Sequence, residues 1–186
     1  MSKTYIPPRL TLPVGDQDHI AGAPGAKVVL VEYGDYQCPY CGAAYPVVKR
    51  IQKELGRNLG FVFRNFPITN AHPFAEWAAE TAEAAGAQGT FWPMHDSLFE
   101  HQSRLGDEAA FAKEEARLGL DVSRLGQEVA HRAYASRIEG DFMSGVRSGV
   151  NGTPTFFIDG VRYDGPAEFE ALLSELRRAA KTPSPR

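Results

Sequence analysis

Cysteine is scarce in this sequence: two residues in 186, too few for a fold stapled by a disulfide framework. Long apolar runs are missing as well. No stretch approaches the roughly 20 consecutive apolar residues that cross a bilayer. The first thirty residues carry prolines at 7, 8 and 13 and acids at 16 and 18, with no apolar segment of the kind an export leader needs. The expected location is therefore cytoplasmic, or extracytoplasmic if a leader has been removed. Neither sign of charge dominates. Twenty Lys and Arg against 23 Asp and Glu leave a net charge of -3, which supplies no field to gather nucleic acid or anionic lipid. What is present, 43% hydrophobic and 23% charged residues, is the composition of an ordinary globular chain long enough to bury a self-sufficient core.

Residues 27–33 (KVVLVEY) form a β-branched run bounded by Pro24-Gly25 and Gly34-Asp35, the pattern of a buried central strand. Cys38-Pro39-Tyr40-Cys41 follows. Val47, Val48, Ile51 and Leu55 then recur at helical spacing, with Gly56 just past the last of them, so the two cysteines open a helix. Pro46 removes an amide donor inside it and is expected to kink it. Residues 59–66 (LGFVFRNF) read as a second strand stopped by Pro67, which makes a β-α-β unit with parallel strands.

Residues 68–146 show no strand pattern and read as an all-helical insertion. An alanine-rich helix is expected over 73–88, with Phe74, Trp77, Ala78, Thr81 and Ala85 along one side. A second spans 91–101 with Met94, Leu98 and His101 on one face. A third opens at Asp107 and ends at Gly119, and a fourth opens at Asp121. Strand patterning returns in Thr155-Phe156-Phe157-Ile158. The Asp159-Gly160 pair between this run and Val161-Arg162-Tyr163 predicts an antiparallel hairpin. A last helix over 167–180 buries Phe169, Leu172, Leu173 and Leu176, and the KTPSPR tail is expected to fray.

The cysteine pair carries the chemistry. At the mouth of a helix, free amides and the macrodipole favour an anion, so the Cys38 thiol should be more acidic than a free cysteine at about 8.5. Pro39 suits the first helical position, where its missing N–H is not needed. Cys41 lies about one turn further and is less exposed, which assigns Cys38 as nucleophile and Cys41 as resolving thiol. Such a nucleophile must be reachable from solvent. Three other readings use the same residues. A zinc-held module would need two more ligands, for which His72, His95 and His101 are candidates. A peroxide-reducing enzyme would oxidise Cys38 to a sulfenic acid that Cys41 condenses with. A non-catalytic peptide-binding module would leave the thiols incidental. Two further residues stand out. Glu32 interrupts an apolar run in what should be the most buried strand, where desolvation raises a carboxyl pKa. Pro154 directly precedes a strand, where a missing N–H would damage the ladder, although trans is the commoner isomer for any such bond.

The segment Asp35-Tyr36-Gln37-Cys38-Pro39-Tyr40-Cys41, together with Gly152-Thr153-Pro154-Thr155-Phe156-Phe157, resembles the DsbA-like thioredoxin-fold disulfide oxidoreductases over about residues 18–180. That resemblance implies an α/β fold, a central mixed β-sheet flanked by helices. The thioredoxin-like domain would be split into 18–67 and 147–182 around the helical insertion 68–146, after an N-terminal extension 1–17. It also implies that Glu32 accepts a proton from Cys41 through water, and that Thr153-Pro154 is a cis bond packed on the cysteines. In that arrangement Thr153 holds a substrate strand by its backbone and touches Cys38 with its hydroxyl. Tyr40 and Pro39 would meet the substrate, and of the other aromatics Tyr36, Phe66, Phe74, Trp77 and Trp92 the expected role is packing. The partners would be cysteine-containing proteins, with a thioredoxin or glutathione reducing system as a candidate electron source, since Cys-Pro-Tyr-Cys is also the tetrapeptide common in glutaredoxins. No cofactor is implied beyond the Cys38-Cys41 disulfide, no metal, and no nucleic-acid partner. Oxidase, isomerase and reductase directions all remain open.

Overall fold

The computed structural model describes residues 7–182. Residues 183–186 of the tail expected to fray lie outside them. Five strands form one sheet in the order β1-β3-β2-β4-β5. Ile20–Gly22 (β1) is a short edge strand that the sequence reading lacks, because three residues with one glycine carry no periodic signal. The β-branched run becomes Val28–Gly34 (β2), and Pro39–Leu55 (α1) crosses over to Leu59–Asn65 (β3), which pairs with β2 in parallel. Pro46 lies inside α1 without ending it.

Five helices precede the return to the sheet: Ala75–Gly86 (α2), Phe91–Glu100 (α3), Glu108–Arg117 (α4), Val122–Ala130 (α5) and Ala135–Arg147 (α6). Thr155–Ile158 (β4) then runs antiparallel to β2, and Val161–Tyr163 (β5) antiparallel to β4. Asp159 and Gly160 between them have φ of 46° and 77°, the left-handed pair that a tight hairpin turn demands. Phe169–Lys181 (α7) closes the chain. This is the mixed sheet flanked by helices, interrupted by a helical insertion, that the resemblance implies.

Strand alternation decides what lies where. Val28 and Leu30 of β2, Phe61 and Phe63 of β3, and Phe156 and Ile158 of β4 share a core with α1, α7, α2 and α3. Val31 and Tyr33, Val62 and Phe157 point the other way, into a second core covered by Phe142 of α6 and by Leu10 and Val14. Glu32, two residues after Leu30, is thereby on the α1 side.

Within the insertion, the side chains of Asp107 and Asp121 accept from the amides of Ala110 and Arg124, capping α4 and α5 as expected. Met94 and Leu98 are buried, but His95 takes the third buried place. His101 instead caps α3, with its Nδ1 2.9 Å from the Ser97 carbonyl. Helix α6 is absent from the sequence reading because its buried face is Ile138, Asp141, Ser144 and Gly145, small and polar residues rather than an apolar stripe.

The N-terminal segment is tied down. Leu10 N donates to the Gly160 carbonyl and Arg162 N to the Pro8 carbonyl, each at 2.9 Å, along the outer edge of β5. The wholly buried Arg64 fixes it again, with its guanidinium on Asp18, on the carbonyls of Leu12 and Pro13 and on the Tyr33 hydroxyl.

Two glycines of α6 should respond oppositely to the same change. A Cβ at Gly145 would lie 2.8 Å from the Phe66 ring and 3.0 Å from Tyr33, whereas one at Gly140 meets nothing within 4 Å. Gly145→Ala is expected to lose about 1 to 3 kcal/mol by overpacking and Gly140→Ala to gain about 0.5 to 1 kcal/mol by helix propensity. Urea denaturation of both variants measures this, and like signs would contradict the packing of α6 on the sheet.

Candidate active site

Helix α1 begins at Pro39, which places Cys38 in the capping position and Cys41 one turn on. A capping side chain normally accepts from the amides of the second and third helical residues. Here a sulfur occupies that position and makes no capping hydrogen bond, although the nearby amides of Tyr40 and Cys41 favour its anion. Pro39 is exposed at the first helical position, as its missing N–H allows.

The two thiols are free and are driven apart in acidity. The Cys38 thiol is pushed down to about 5, chiefly by a hydrogen bond from the Cys41 thiol; burial opposes this, and the Thr153 side chain and the two helix amides add to it. Burial pushes the Cys41 thiol well above the ordinary range, assisted by its bond to Cys38 and by the charge of Glu32. Asp35 N donates to the Cys41 sulfur at 3.5 Å.

Glu32 is 2% exposed, and its Oε1 has no hydrogen-bond partner among the described residues. Burial first, and then the charge of Cys38, push its carboxyl up to about 8. The Thr153-Pro154 peptide bond is cis. The Thr153 carbonyl lies 3.4 Å from the Cys38 sulfur and accepts from the protonated thiol. The Thr153 hydroxyl is buried with no hydrogen-bond partner among the described residues, and it is close enough to Cys38 to favour its thiolate. Cysteines 38 and 41, Glu32 and the Thr153-Pro154 loop thus converge.

Cys38 is more enclosed than its place at a helix mouth suggests: it is 3% exposed, against 0% for Cys41. The Thr153 carbonyl lies 3.4 Å from its sulfur, so little of the thiol expected to be reachable from solvent is open to a partner. Tyr40 stands beside it, 74% exposed. Phe74, expected in the core, is instead 41% exposed, while Tyr36 and Phe66 are buried and Trp77 and Trp92 are packed at the edge of the main core.

The sequence reading missed three supports of the cysteine loop. Gln102, in the turn after α3, donates from Nε2 to the carbonyls of Tyr36 at 2.7 Å and Cys38 at 2.9 Å. Asp35, wholly buried in its side chain, accepts from the amides of Gln37 and Ile68 and bonds His72 Nδ1 at 2.7 Å. Apart from the local Asp35–Gln37 turn, these contacts join residues 33 to 66 positions apart, and nothing in the local sequence signals them.

The histidines weighed as zinc ligands are engaged elsewhere. His95 sits among Phe63, Phe91, Trp92 and Phe99, its Nδ1 is 3.1 Å from the Tyr36 hydroxyl, and burial pushes its pKa down to about 3. Among the described residues no group of three or more His, Cys, Asp or Glu side chains is arranged to hold a metal ion.

A sequence model of a family described as thioredoxin matches residues 15–177. The Na(+)/H(+) antiporter NhaA 1 of Salinispora arenicola is 44% identical over 173 residues, which are 91% of this chain and 26% of that protein. The Na(+)/H(+) antiporter NhaA of Herminiimonas arsenicoxydans is 38% identical over 181 residues, 95% of this chain and 28% of that protein. The chain thus spans about a quarter of the length of these curated relatives. Among solved structures, oxidised BdbD from Bacillus subtilis aligns with a TM-score of 0.82 at 20% identity, covering 95% of this chain and 98% of that one. A thioredoxin-like oxidoreductase from Silicibacter pomeroyi aligns with a TM-score of 0.74 at 27% identity, covering 90% and 92%. Alpha-DsbA1 of Wolbachia pipientis aligns with 0.78 at 19% identity, covering 92% and 94%.

Two measurements test the electrostatics. The rate of Cys38 alkylation by iodoacetamide follows its thiolate, so it should rise through a midpoint near pH 5 and level off above it, where a free cysteine at about 8.5 is still mostly protonated. Thr153→Val should move that midpoint up, and a midpoint near 8 in the parent protein would refute the arrangement. Glu32 is an acid whose folded pKa is raised, so folding must suppress its ionisation at any pH above its unfolded value. Glu32→Leu is therefore expected to stabilise the protein by about 2 to 3 kcal/mol at pH 7 and by little at pH 4. Urea titrations at both pH values decide it; a gain that does not grow with pH would count against a buried, unpaired carboxyl.

Proposed function

Because the chain belongs to the thioredoxin family, we propose that it is a DsbA-like protein-disulfide oxidoreductase working through Cys38 and Cys41. The observation that carries this reading is the placement of two free thiols one helical turn apart, Cys38 capping α1 beside the cis Thr153-Pro154 bond and Cys41 on the packed side of the helix, which lowers the pKa of the first and raises that of the second. Exchange needs one sulfur that attacks and leaves as a thiolate and a second that stays protonated until it is used.

In the oxidising direction, a substrate thiolate attacks Cys38 of the Cys38-Cys41 disulfide. Cys41 leaves and takes up a proton, and Cys38 becomes joined to the substrate sulfur. A second substrate thiolate then attacks that substrate sulfur and expels Cys38 as a thiolate, so two electrons pass from substrate to the pair. In reverse, Cys38 attacks a substrate disulfide, and Cys41 resolves the mixed disulfide after giving its proton to Glu32. With its carboxyl raised to about 8, Glu32 is ionised in a minority of molecules at neutral pH, and only that carboxylate, a stronger base than an ordinary one, takes the Cys41 proton; joining Cys38 to the substrate removes the thiolate charge that helps to raise Glu32 and so favours the ionised form.

The substrate class is polypeptide. The backbone of Thr153 and Pro154 offers an edge for an extended segment, and exposed Tyr40, Phe74 and Pro39 supply apolar contact around Cys38. Direction follows from the thiolate. A nucleophile at about 5 lies between the thioredoxin value of about 7 and the DsbA value of about 3.5, so the dithiol form is favoured more than in thioredoxin. Of the directions left open by the sequence, this favours net oxidation or isomerisation, suited to a compartment where dithiols are reoxidised. The antiporter names belong to proteins about four times as long. Ion transport plays no part in this proposal, and no described helix is long and apolar enough to cross a membrane.

Equilibration with glutathione buffers should give a Cys38-Cys41 potential between about -270 mV and -120 mV, the thioredoxin and DsbA values. Reduced, denatured ribonuclease should regain its disulfides in the presence of the oxidised protein and Cys38→Ser should abolish this, while Cys41→Ser mixed with disulfide-scrambled ribonuclease should accumulate a mixed disulfide through Cys38, the second ribonuclease sulfur leaving as a thiolate. A potential below that of thioredoxin would reverse the direction. Full activity in Cys38→Ser, or rapid turnover of peroxide with no exchange, would overturn the proposal.

A further inference from the structure

A second site lies in the helical insertion, away from the cysteines. Helices α2, α4 and α5 enclose a cavity of about 350 Å3, lined by Trp77, Ala112, Val122, Leu125 and Val129 together with the carboxylates of Glu108 and Glu115. That volume is at the lower end of small-molecule sites, about 300 to 1,000 Å3.

Glu115 is the anomaly. It is 5% exposed, and no hydrogen-bond donor or cation among the described residues pairs with it. Among the described residues no arginine or lysine lines the cavity, and the arginines of the insertion at 104, 117, 124 and 132 pair with Asp107, Glu114, Glu128 and Glu76. The hydroxyl of Thr81, which also lines the cavity, is spent on the Trp77 carbonyl at 2.9 Å. Burial and the nearby Glu108 both oppose ionisation of Glu115, so a cation entering the cavity would stabilise its charged form. An alanine or leucine would pack this face of α4 without that cost.

We propose that this cavity binds a small organic cation, an ammonium group on an apolar body, with Glu115 as its counter-ion and Glu108 at the rim. The ammonium would meet the buried carboxylate as a charge-assisted hydrogen bond. The apolar body would lie against Val122, Leu125 and Val129, and the Trp77 ring, held edge-on by Phe111 at 5.2 Å, adds a π face to the cavity wall. The site is independent of the thiol chemistry.

The test titrates the full chain with 2-phenylethylammonium chloride, followed by tryptophan fluorescence and by amide shifts of residues 77–81 and 108–130. The expected result is saturable, single-site binding. It should weaken by about tenfold or more for the uncharged 2-phenylethanol and in Glu115→Gln, and be lost in Val129→Phe, which fills the cavity. Comparison of amine with alcohol on the parent protein holds even if a variant fails to fold. Equal binding of the alcohol, no saturable response, or the same shifts with sodium chloride alone would overturn the proposal, the last by assigning the carboxylates to an inorganic cation.

Discussion

The chemistry of this protein depends on how sharply the surroundings of a sulfur change along one turn of a helix, between two positions that are both nearly enclosed. A residue that caps α1 meets its free amides, and a residue three positions later meets the packed side of the same helix. Cys38 and Cys41 occupy those two places. One sulfur is thereby given donors that favour an anion, while the other is given an apolar surrounding that forbids one. Neither thiol needs a neighbouring lysine or arginine. The strongest donor to Cys38 is the thiol of Cys41 itself, so the pair sets its own asymmetry once the helix has placed it.

The sheet supplies the rest of the site through a period of two. Because Leu30 must face α1 to fill the main core, Glu32 must face it too, and the carboxyl arrives beneath the cysteines without a partner. The antiparallel pairing of β2 with β4, Tyr33 opposite Thr155, brings the Thr153-Pro154 loop to the same end of the sheet. The insertion closes the arrangement from outside. Gln102 reaches the carbonyls on either side of Gln37, and a Cβ at Gly42 would strike the Gln102 amide. His72 and the amide of Ile68 hold Asp35 in the chain that leads to Cys38. The helical insertion is thus part of the scaffold of the cysteine loop as well as the wall of a separate cavity.

Much of this was legible before any coordinates. The β-branched run before the cysteines, the helical spacing after them, the Asp-capped helices and the Asp159-Gly160 hairpin are all local signals, and each element appears where its residues place it. What was not legible follows one pattern. Strand β1 is too short to carry a period. Helix α6 buries serine, aspartate and glycine, so it shows no apolar stripe. The exposure of Phe74 and the near enclosure of Cys38 are set by what packs from elsewhere in the chain. Glu32 was conspicuous because a charge inside an apolar run is locally anomalous, whereas Glu115 on a charged-looking helix was not.

The sequence by itself determined the element order, the capping position of Cys38, the spacing of the thiol pair and the side of the sheet that Glu32 must face. Each of these is a matter of backbone period and near-neighbour sterics. Only the tertiary structure decided how far the two sulfurs differ in acidity, which donors surround Cys38, that Gln102 and His72 brace its loop, and that Glu115 is left without a counter-ion. Desolvation and hydrogen bonding are sums over atoms brought together in space, and residues 60 or more positions apart in the chain leave no mark of that meeting in the order of its letters.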